Sequence, residues 1–241
     1  MTELLYLPDD DGVTEFTATV TDATDEYVVL DGTYFYPEGG GQPADTGVIA
    51  WDGGRVEIDN VRKDHGEVRH EIGRLKGDVP AAGTPVEGRV DAERRRALAR
   101  MHTAQHVVSR IVLDRDGAAT AGNQVGPERS RIDFEPAGFD ASDLESIEER
   151  ANDVIERDLA VEKRNRSRET VVANVDEGRA LLDLIPASVD PLRVVEIEGF
   201  DMCPCGGTHV SRLGEIGRIE IVDRHSKGED VERIEFELRE P

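Results

Sequence analysis

The chain has 241 residues, which is long enough for one large domain or two modest domains with hydrophobic cores of their own. Its 52 acidic residues against 29 basic residues give a formal net charge of −23, which disfavours nucleic-acid binding at low salt. The sequence shows no signal-peptide pattern and no run of about 18 apolar residues, so we expect a cytoplasmic protein that is not inserted in a membrane.

The acidic composition also fits a halophilic cytoplasm. Arginine strongly outnumbers lysine among the 29 basic residues. In molar salt the Debye length falls to about 3 Å, so diffuse repulsion is screened, while arginine and backbone groups can still bind phosphate at short range. The charge therefore weakens a nucleic-acid hypothesis but leaves it open.

Residues 1–91 are predicted to form an all-β domain, because short apolar alternations are separated by turn residues. The candidate strands are residues 16–20, 27–30, 47–51, 55–58, 68–72 and 84–90. Asp52-Gly53-Gly54 is predicted to be a hairpin turn between two of them. Short strands at this spacing favour a small barrel or a sandwich.

A run of three glycines, Gly39-Gly40-Gly41, precedes Gln42 in this domain. Consecutive glycines suggest a tight turn or a close approach of the backbone to another group. A flexible surface loop is the alternative, and composition alone favours it, because the run lacks the Lys-Ser/Thr ending of a phosphate-binding loop.

At Asp91 the hydrophobic period changes from two residues to about 3.6, which predicts a helix. Asp91 is a good N-cap, and Gly117 is a good residue to end the helix. We therefore place the domain boundary here, with an N-terminal all-β domain, a barrel or a sandwich, at residues 1–91 and a second domain at residues 92–241.

The second domain is predicted to be α+β, with helices packed on an antiparallel sheet. A capping-box pattern at residues 142–145 predicts a second long helix, and residues 168–184 favour short helices. The predicted strands are residues 118–125, 130–134, 161–165, 192–197, 219–222 and 233–238.

Two short segments supply side chains that could bind one metal ion. His102 and His106 lie four residues apart in the predicted helix, so they share one face. His209 and one thiolate, from Cys203 or Cys205, would complete a set of donors that suits tetrahedral zinc. A disulfide between the two cysteines is disfavoured because only one residue separates them.

Each of these residues also has an ordinary structural interpretation, since lone histidines in helices are seldom ligands. The combination of four donors favours a metal site. Cys205 is preferred to Cys203, because Gly206 and Gly207 can turn the chain tightly enough to return His209 to the same ion. A closed set of four ligands leaves no vacant position, so the sequence leaves open whether zinc activates water or positions the substrate.

Three motifs carry a resemblance to a known family. Residues 102–106 (His-Thr-Ala-Gln-His), 39–43 (Gly-Gly-Gly-Gln-Pro) and 205–210 (Cys-Gly-Gly-Thr-His-Val) closely resemble the editing domain of alanyl-tRNA synthetase and its freestanding relatives, the alanyl-tRNA editing proteins. The likeness spans nearly the whole chain. The length points to the freestanding type with an N-terminal barrel.

The resemblance implies hydrolysis of the ester in mischarged Ser-tRNA(Ala), with Gly-tRNA(Ala) as a second substrate. It implies zinc (Zn²⁺) as the cofactor, held by His102, His106, Cys205 and His209. By position, polar residues of the editing pocket match Gln105 and Gln124, and further substrate-binding candidates are Thr103, Thr208 and Gly207. No side chain is identified as catalytic, and a zinc-associated water is expected in that role.

The implied partner is the acceptor end of tRNA(Ala). Candidates for contact with it are Gly39, Gly40, Gly41, Gln42, Arg131, Lys227 and Arg233. The three cations are equally compatible with solvated charges at strand edges. A zinc hydrolase of another small ester and a zinc-stabilised nucleic-acid binding module without catalysis remain alternatives, and the oligomeric state is not predicted.

Overall fold

The computed structural model describes residues 1–180, 182 and 185–240. The chain forms two compact units, Met1–Arg96 and Ala97–Pro241. The division between them falls inside one continuous helix, α1 (Ala92–Asp116). Asp91 caps this helix as predicted, since its Oδ1 accepts hydrogen bonds from the backbone N–H groups of Glu93 and Arg94, both at 3.1 Å.

The first unit is a closed antiparallel barrel, which decides between the two predicted architectures. Its strands follow the order β2-β3-β7-β6-β5-β8 around the barrel. The strand bounds are β1 Glu3–Leu4, β2 Glu15–Ala23, β3 Tyr27–Leu30, β4 Gly32–Thr33, β5 Gly47–Trp51, β6 Gly54–Asp64, β7 Glu67–Lys76 and β8 Pro85–Val90. β1 and β4 form a separate parallel pair that the sequence does not predict, because two-residue strands have no readable period.

Alternating side chains fill the barrel, as expected for strands with one face on a core. In β8, for example, Val86 and Val90 are buried between exposed neighbours. His70 is also fully buried, with Nε2 at 2.8 Å from Oγ1 of Thr33 and Nδ1 at 2.9 Å from the carbonyl oxygen of Val28. Both ring nitrogens of this buried imidazole therefore have hydrogen-bond partners.

The glycine run forms a closed reverse turn, in contrast to the flexible loop that composition favoured. The backbone N–H of Gly39 donates to the carbonyl of Gln42 at 3.1 Å, and the N–H of Gln42 donates back to the carbonyl of Gly39 at 2.9 Å. Gly40 and Gly41 have φ values of 57° and 83°. Glycine adopts this left-handed conformation at little cost, which explains its use at both positions.

The second unit contains two antiparallel sheets, with strand orders β14-β15-β10-β9 and β11-β12-β13. Its remaining elements are β9 Ala119–Gln124, β10 Arg129–Glu135, α2 Ala141–Glu156, β11 Val161–Arg166, α3 Arg168–Asn174, β12 Leu192–Ile197, β13 Asp201–Pro204, a 3₁₀ helix at Leu213–Ile216, β14 Arg218–Gly228 and β15 Val231–Arg239. The predicted α+β class with an N-terminal barrel is confirmed.

Local differences from the sequence prediction occur at three places. The N-cap of α2 is Asp140, because its side chain and that of Asp143 form the reciprocal capping pair. The Cys203 segment, which was not predicted as a strand, forms β13 against β12. The predicted short helices at residues 168–184 begin with α3, while positions 181, 183 and 184 lie outside the described residues.

Helix α1 is buried on all sides from Met101 to Ser109. Its apolar residues, including Leu98, Val107 and Val108, belong to the main core of the second unit. The helix therefore carries His102 and His106 into the protein interior, where polar groups need partners. Among the described residues, no helix combines the length and apolar character needed to cross a bilayer.

Candidate metal centre

The four predicted metal donors meet in one cluster, in which the three histidines are buried and Cys205 is half-buried. His102 and His106 come from α1, and Cys205 and His209 come from the segment after β13. One potential ligand atom from each residue lies within 4.8 Å of the other three. The Sγ of Cys205 is 3.5 Å from Nε2 of His102 and 3.3 Å from Nε2 of His209. The cluster could therefore hold a metal ion.

The segment that bears Cys205 is shaped by hydrogen bonds to β12. The backbone N–H of Cys205 donates to the carbonyl of Arg193 at 3.2 Å. The guanidinium of Arg193 in turn donates to the carbonyls of Cys205 and Gly207, at 2.7 and 2.9 Å. The N–H of Gly207 lies 3.4 Å from the Cys205 sulfur. Arg193 thus holds the turn that brings His209 back toward the thiol.

Thr103, the residue after His102 on α1, orients the imidazole ring of His209. Its hydroxyl donates to the carbonyl of Ala99 at 2.8 Å, so the same oxygen acts as an acceptor for other groups. It lies 3.2 Å from Nδ1 of His209 and accepts from the N–H of Val210 at 3.2 Å. This arrangement places the proton of His209 on Nδ1, so the lone pair is on Nε2, the nitrogen that faces Cys205.

A buried ion pair between Arg179 and Asp201 lies next to His106. Arg179 donates to both carboxylate oxygens of Asp201, at 2.8 and 2.6 Å, and its guanidinium is 3.5 Å from the carbonyl of His106. The nearer carboxylate oxygen lies 4.0 Å from Nδ1 of His106. Sequence reasoning missed Arg179 entirely and could not place Asp201, because no local pattern links residues 106, 179 and 201.

The electrostatics of the cluster keep its imidazoles neutral. Burial, with smaller contributions from Arg193 and Arg179, lowers the pKa of His102 to about 3. Burial is also the main reason why the pKa values of His106 and His209 lie well below their usual range. Neutral imidazole is the form that binds metal ions, so the site is prepared for a cation without losing protons from histidine.

The structure distinguishes the two cysteines. Cys203 is buried on β13, with its sulfur 3.9 Å from the carbonyl of Arg179, and burial raises its pKa to about 12. It is not among the four clustered residues, whereas Cys205 is. Three imidazole nitrogens and one thiolate form a donor set that fits a tetrahedral ion such as Zn²⁺.

The other substrate-binding candidates lie in different surroundings. Gln105 is buried on α1, and its Oε1 accepts a hydrogen bond from Nδ2 of Asn123 at 3.0 Å. Gln124, the next residue on β9, is exposed. Thr208 is fully buried beside His209 in sequence. Asn123 was not predicted: the alternation of side chains along a strand puts Asn123 and Gln124 on opposite faces of β9 but does not say which of them meets α1.

The candidates for tRNA contact also differ in exposure. Gly39, Gly40 and Gly41 are exposed in the first unit, whereas Gln42 is only 2% exposed. In the second unit, Lys227 is exposed and Arg131 is half-buried on β10.

Arg233, the remaining tRNA candidate, already has an anionic partner. Its guanidinium donates to both carboxylate oxygens of Asp133, at 2.6 and 2.9 Å. His225, the other histidine near the cysteine segment in sequence, is exposed beside Asp223 and Glu235.

Comparison with known protein families gives two matches. Residues 4–94 match the model for class II (A) tRNA synthetases, and residues 192–235 match that for the second additional domain of threonyl and alanyl tRNA synthetases. His102 and His106 lie between the two matched regions. The barrel and the segment that contains Cys205 are therefore each similar to a different domain family of tRNA synthetases.

Full-length similarity identifies the family. The chain is 39% identical to alanyl-tRNA editing protein AlaX-M of Methanosarcina acetivorans, over 99% of both chains. It is 36% identical to the protein of the same name from Methanosarcina mazei, over 99% of this chain and 97% of that protein. It is also 42% identical to alanine–tRNA ligase of Methanopyrus kandleri, over 98% of this chain and only 26% of the ligase. The chain belongs to the alanyl-tRNA editing protein family.

Proposed function

We propose that this protein is a trans-editing hydrolase that deacylates mischarged tRNA(Ala) in the cytoplasm, with Ser-tRNA(Ala) as its main substrate and Gly-tRNA(Ala) as a second one. The observation that carries the proposal is that a chain similar over its full length to alanyl-tRNA editing proteins brings three buried histidines and one half-buried cysteine into a single cluster. A separate hydrolytic site adds fidelity where a synthetase pocket discriminates poorly between small side chains.

Zinc is the metal that we propose for the cluster. Its four ligands would be His102, His106, Cys205 and His209, since nitrogen and thiolate donors in a tetrahedral set are typical of zinc. When bound, zinc supplies a Lewis acid that polarises an oxygen of the substrate or of water. Thr103 and Arg193 both contact the segment that bears Cys205 and His209, so these two donors are held by the chain itself.

The substrate side of the site would be polar. Gln105 and Asn123 form a hydrogen-bonded pair, and Gln105 follows His102 by three residues on α1, so the two side chains share one helix face. We propose that this pair, with Gln124, Thr208 and Gly207, addresses the aminoacyl group. A site that hydrogen-bonds the seryl hydroxyl would reject alanine, because its own buried polar groups would then lose a partner.

The acceptor end of tRNA(Ala) would bind through phosphate contacts. Arg131 and Lys227 are the cations that we propose for this role in the second unit, together with Arg233, whose charge is shared with Asp133. In the first unit, the exposed turn at Gly39–Gly41 is the proposed contact, and Gln42 supports that turn from the interior. Backbone N–H groups and arginine can bind phosphate in salt that screens the net negative charge.

Deacylation assays with Ser-tRNA(Ala), Gly-tRNA(Ala) and Ala-tRNA(Ala) in high salt test the proposal. We expect rapid hydrolysis of the seryl ester, slower hydrolysis of the glycyl ester and survival of the alanyl ester. A strong chelator should abolish the activity, and added zinc should restore it. Tight tRNA binding without ester loss would contradict the proposal in favour of a binding module. Hydrolysis that is indifferent to the tRNA would favour a small-ester hydrolase.

A further inference from the structure

A buried nitrogen of the metal cluster lacks a hydrogen-bond partner. Within the part of the chain that the structure describes, Nδ1 of His106 is one of three buried side-chain polar atoms without such a partner. His209 differs, because its Nδ1 lies 3.2 Å from the hydroxyl of Thr103. Metal-binding histidines generally donate their second ring N–H to a carboxylate, a carbonyl or a water, which fixes the ring and its tautomer. His106 therefore needs an acceptor.

The carboxylate of Asp201 is placed to be that acceptor. Its Oδ2 lies 4.0 Å from Nδ1 of His106, and both side chains are at most 5% exposed, so water competes weakly for either group. The distance exceeds that of a hydrogen bond, and an approach of about 1 Å would bring the two atoms within hydrogen-bonding range. Hydrogen bonds at functional sites are often long before the site is filled and shorten when it is occupied.

Arg179 fixes the carboxylate in this position. It engages both oxygens of Asp201, and the same guanidinium approaches the carbonyl of His106 at 3.5 Å, so the arginine touches the acceptor and the backbone of the ligand together. The bidentate geometry prevents the carboxylate from turning away. Arg179 also provides the counter-charge that a buried carboxylate needs.

We propose that Asp201, held by Arg179, is a positioning residue that orients His106 and directs its Nε2 to the metal. The inference rests on the proposed metal site and adds to it a second contact of the kind that Thr103 makes with His209. Thr103 and Asp201 then perform the same task for two different ligands, one through a neutral hydroxyl and one through a paired carboxylate.

The test compares metal binding by four full-length proteins. They are the wild type, Asp201→Asn, the double variant Arg179→Met with Asp201→Leu, and the control Glu196→Gln. Glu196 forms a similar bidentate pair with Arg166, at 2.6 and 3.0 Å, in the same three-stranded sheet, but it does not belong to the cluster. Zinc affinity is measured by competition with a chromophoric chelator, and the ligand field is measured from the visible spectrum after Co²⁺ substitution.

We expect Asp201→Asn to bind zinc about 10- to 100-fold more weakly than the wild type, with a shifted Co²⁺ spectrum. The double variant separates two causes. If the loss arose only from leaving Arg179 unpaired near the metal, removing both charges would restore the affinity. If it arises from the missing acceptor, as we propose, the double variant stays weak. Glu196→Gln should match the wild type in both measurements.

Two results would overturn the inference. One is wild-type zinc affinity and an unchanged Co²⁺ spectrum in Asp201→Asn, and the other is restored affinity in the double variant. Circular dichroism of the metal-free proteins identifies any variant that fails to fold, and the double variant guards against this because it leaves no unpaired buried charge. A wild type that binds no zinc would instead remove the proposed metal site itself.

Discussion

The hydroxyl of Thr103 lies 3.2 Å from Nδ1 of His209, and these residues come from segments separated by more than a hundred positions in the sequence. The hydroxyl proton is directed to the carbonyl of Ala99, so the oxygen faces the imidazole as an acceptor. The contact gives a reason for a threonine between His102 and His106, the two residues that α1 contributes to the cluster. It gives Thr103 a role that does not depend on the substrate.

Replacing Thr103 with valine keeps the shape of the side chain and removes the acceptor. We expect zinc affinity to fall by about 10- to 100-fold, because the ring of His209 loses its fixed orientation. Thr103→Ser, which keeps the hydroxyl, should stay within a few-fold of the wild type. If Thr103→Val instead changes the preference between seryl and glycyl esters at unchanged zinc affinity, the residue acts on the substrate.

The two cysteines provide a matched pair of substitutions. Cys205→Ser should remove the thiolate from the cluster and with it both bound zinc and deacylation, whereas Cys203→Ser should retain a full complement of zinc. Zinc content of the purified proteins, measured by mass spectrometry, checks this expectation. Loss of zinc in Cys203→Ser with retention in Cys205→Ser would reverse the assignment of the ligand.

The pH dependence of barrel stability should reflect His70. Burial lowers the pKa of this imidazole from its ordinary value of 6.5 to about 4. Above pH 6.5 the ring is neutral in both the folded and the unfolded chain. Between pH 6.5 and about 4 only the unfolded chain takes up the proton. The free energy of unfolding therefore decreases as the pH is lowered through this range, by about 3 kcal/mol at most.

Trp51 allows this effect to be measured, since it is the only tryptophan and lies on β5 of the barrel. Its fluorescence during urea unfolding should show a smaller loss of stability toward pH 4 in His70→Gln than in the wild type. Identical pH dependence in the two proteins would show that His70 does not carry the effect.

The ion pair between Asp45 and Arg95 should be essential to the barrel unit. The two side chains are only 1% and 4% exposed, and Asp45→Asn would leave the arginine buried without its counter-charge. We expect destabilisation by about 3–5 kcal/mol, measured by urea unfolding with Trp51 fluorescence. Glu15→Gln is the control, because its pair with Arg89 is 72% exposed on both sides and should contribute little. Equal effects of the two changes would contradict this account.

The sequence was most informative where local spacing determines geometry. His102 and His106 share a helix face because of their four-residue separation, and Cys205 and His209 are joined by a short turn, so a common site followed from two local patterns. Strand alternation located most of the barrel for the same reason. The preference for Cys205 also rested on local chain geometry.

Contacts across the fold were inaccessible to this reasoning. Asp201 and Arg179 lie 22 positions apart, and neither belongs to a motif with a characteristic spacing. Gln105 meets Asn123, and the sequence does not predict this contact, because the register of β9 against α1 is set by packing of the whole unit. Such pairs form only when the whole unit packs, and no local pattern in a single sequence identifies them.

The first turn of α1 determines where the barrel of this protein should be joined to the second unit of a relative. Arg94 donates to the carbonyl of Ala44, and Arg95 binds Asp45, so both arginines serve the first unit although they belong to the helix that carries His102. A chimera joined at residue 91 would take its barrel from one parent and its buried arginine from the other. A junction between Arg96 and Ala97 keeps each barrel with its own counter-charge, which makes the interior of the helix the better place for recombination.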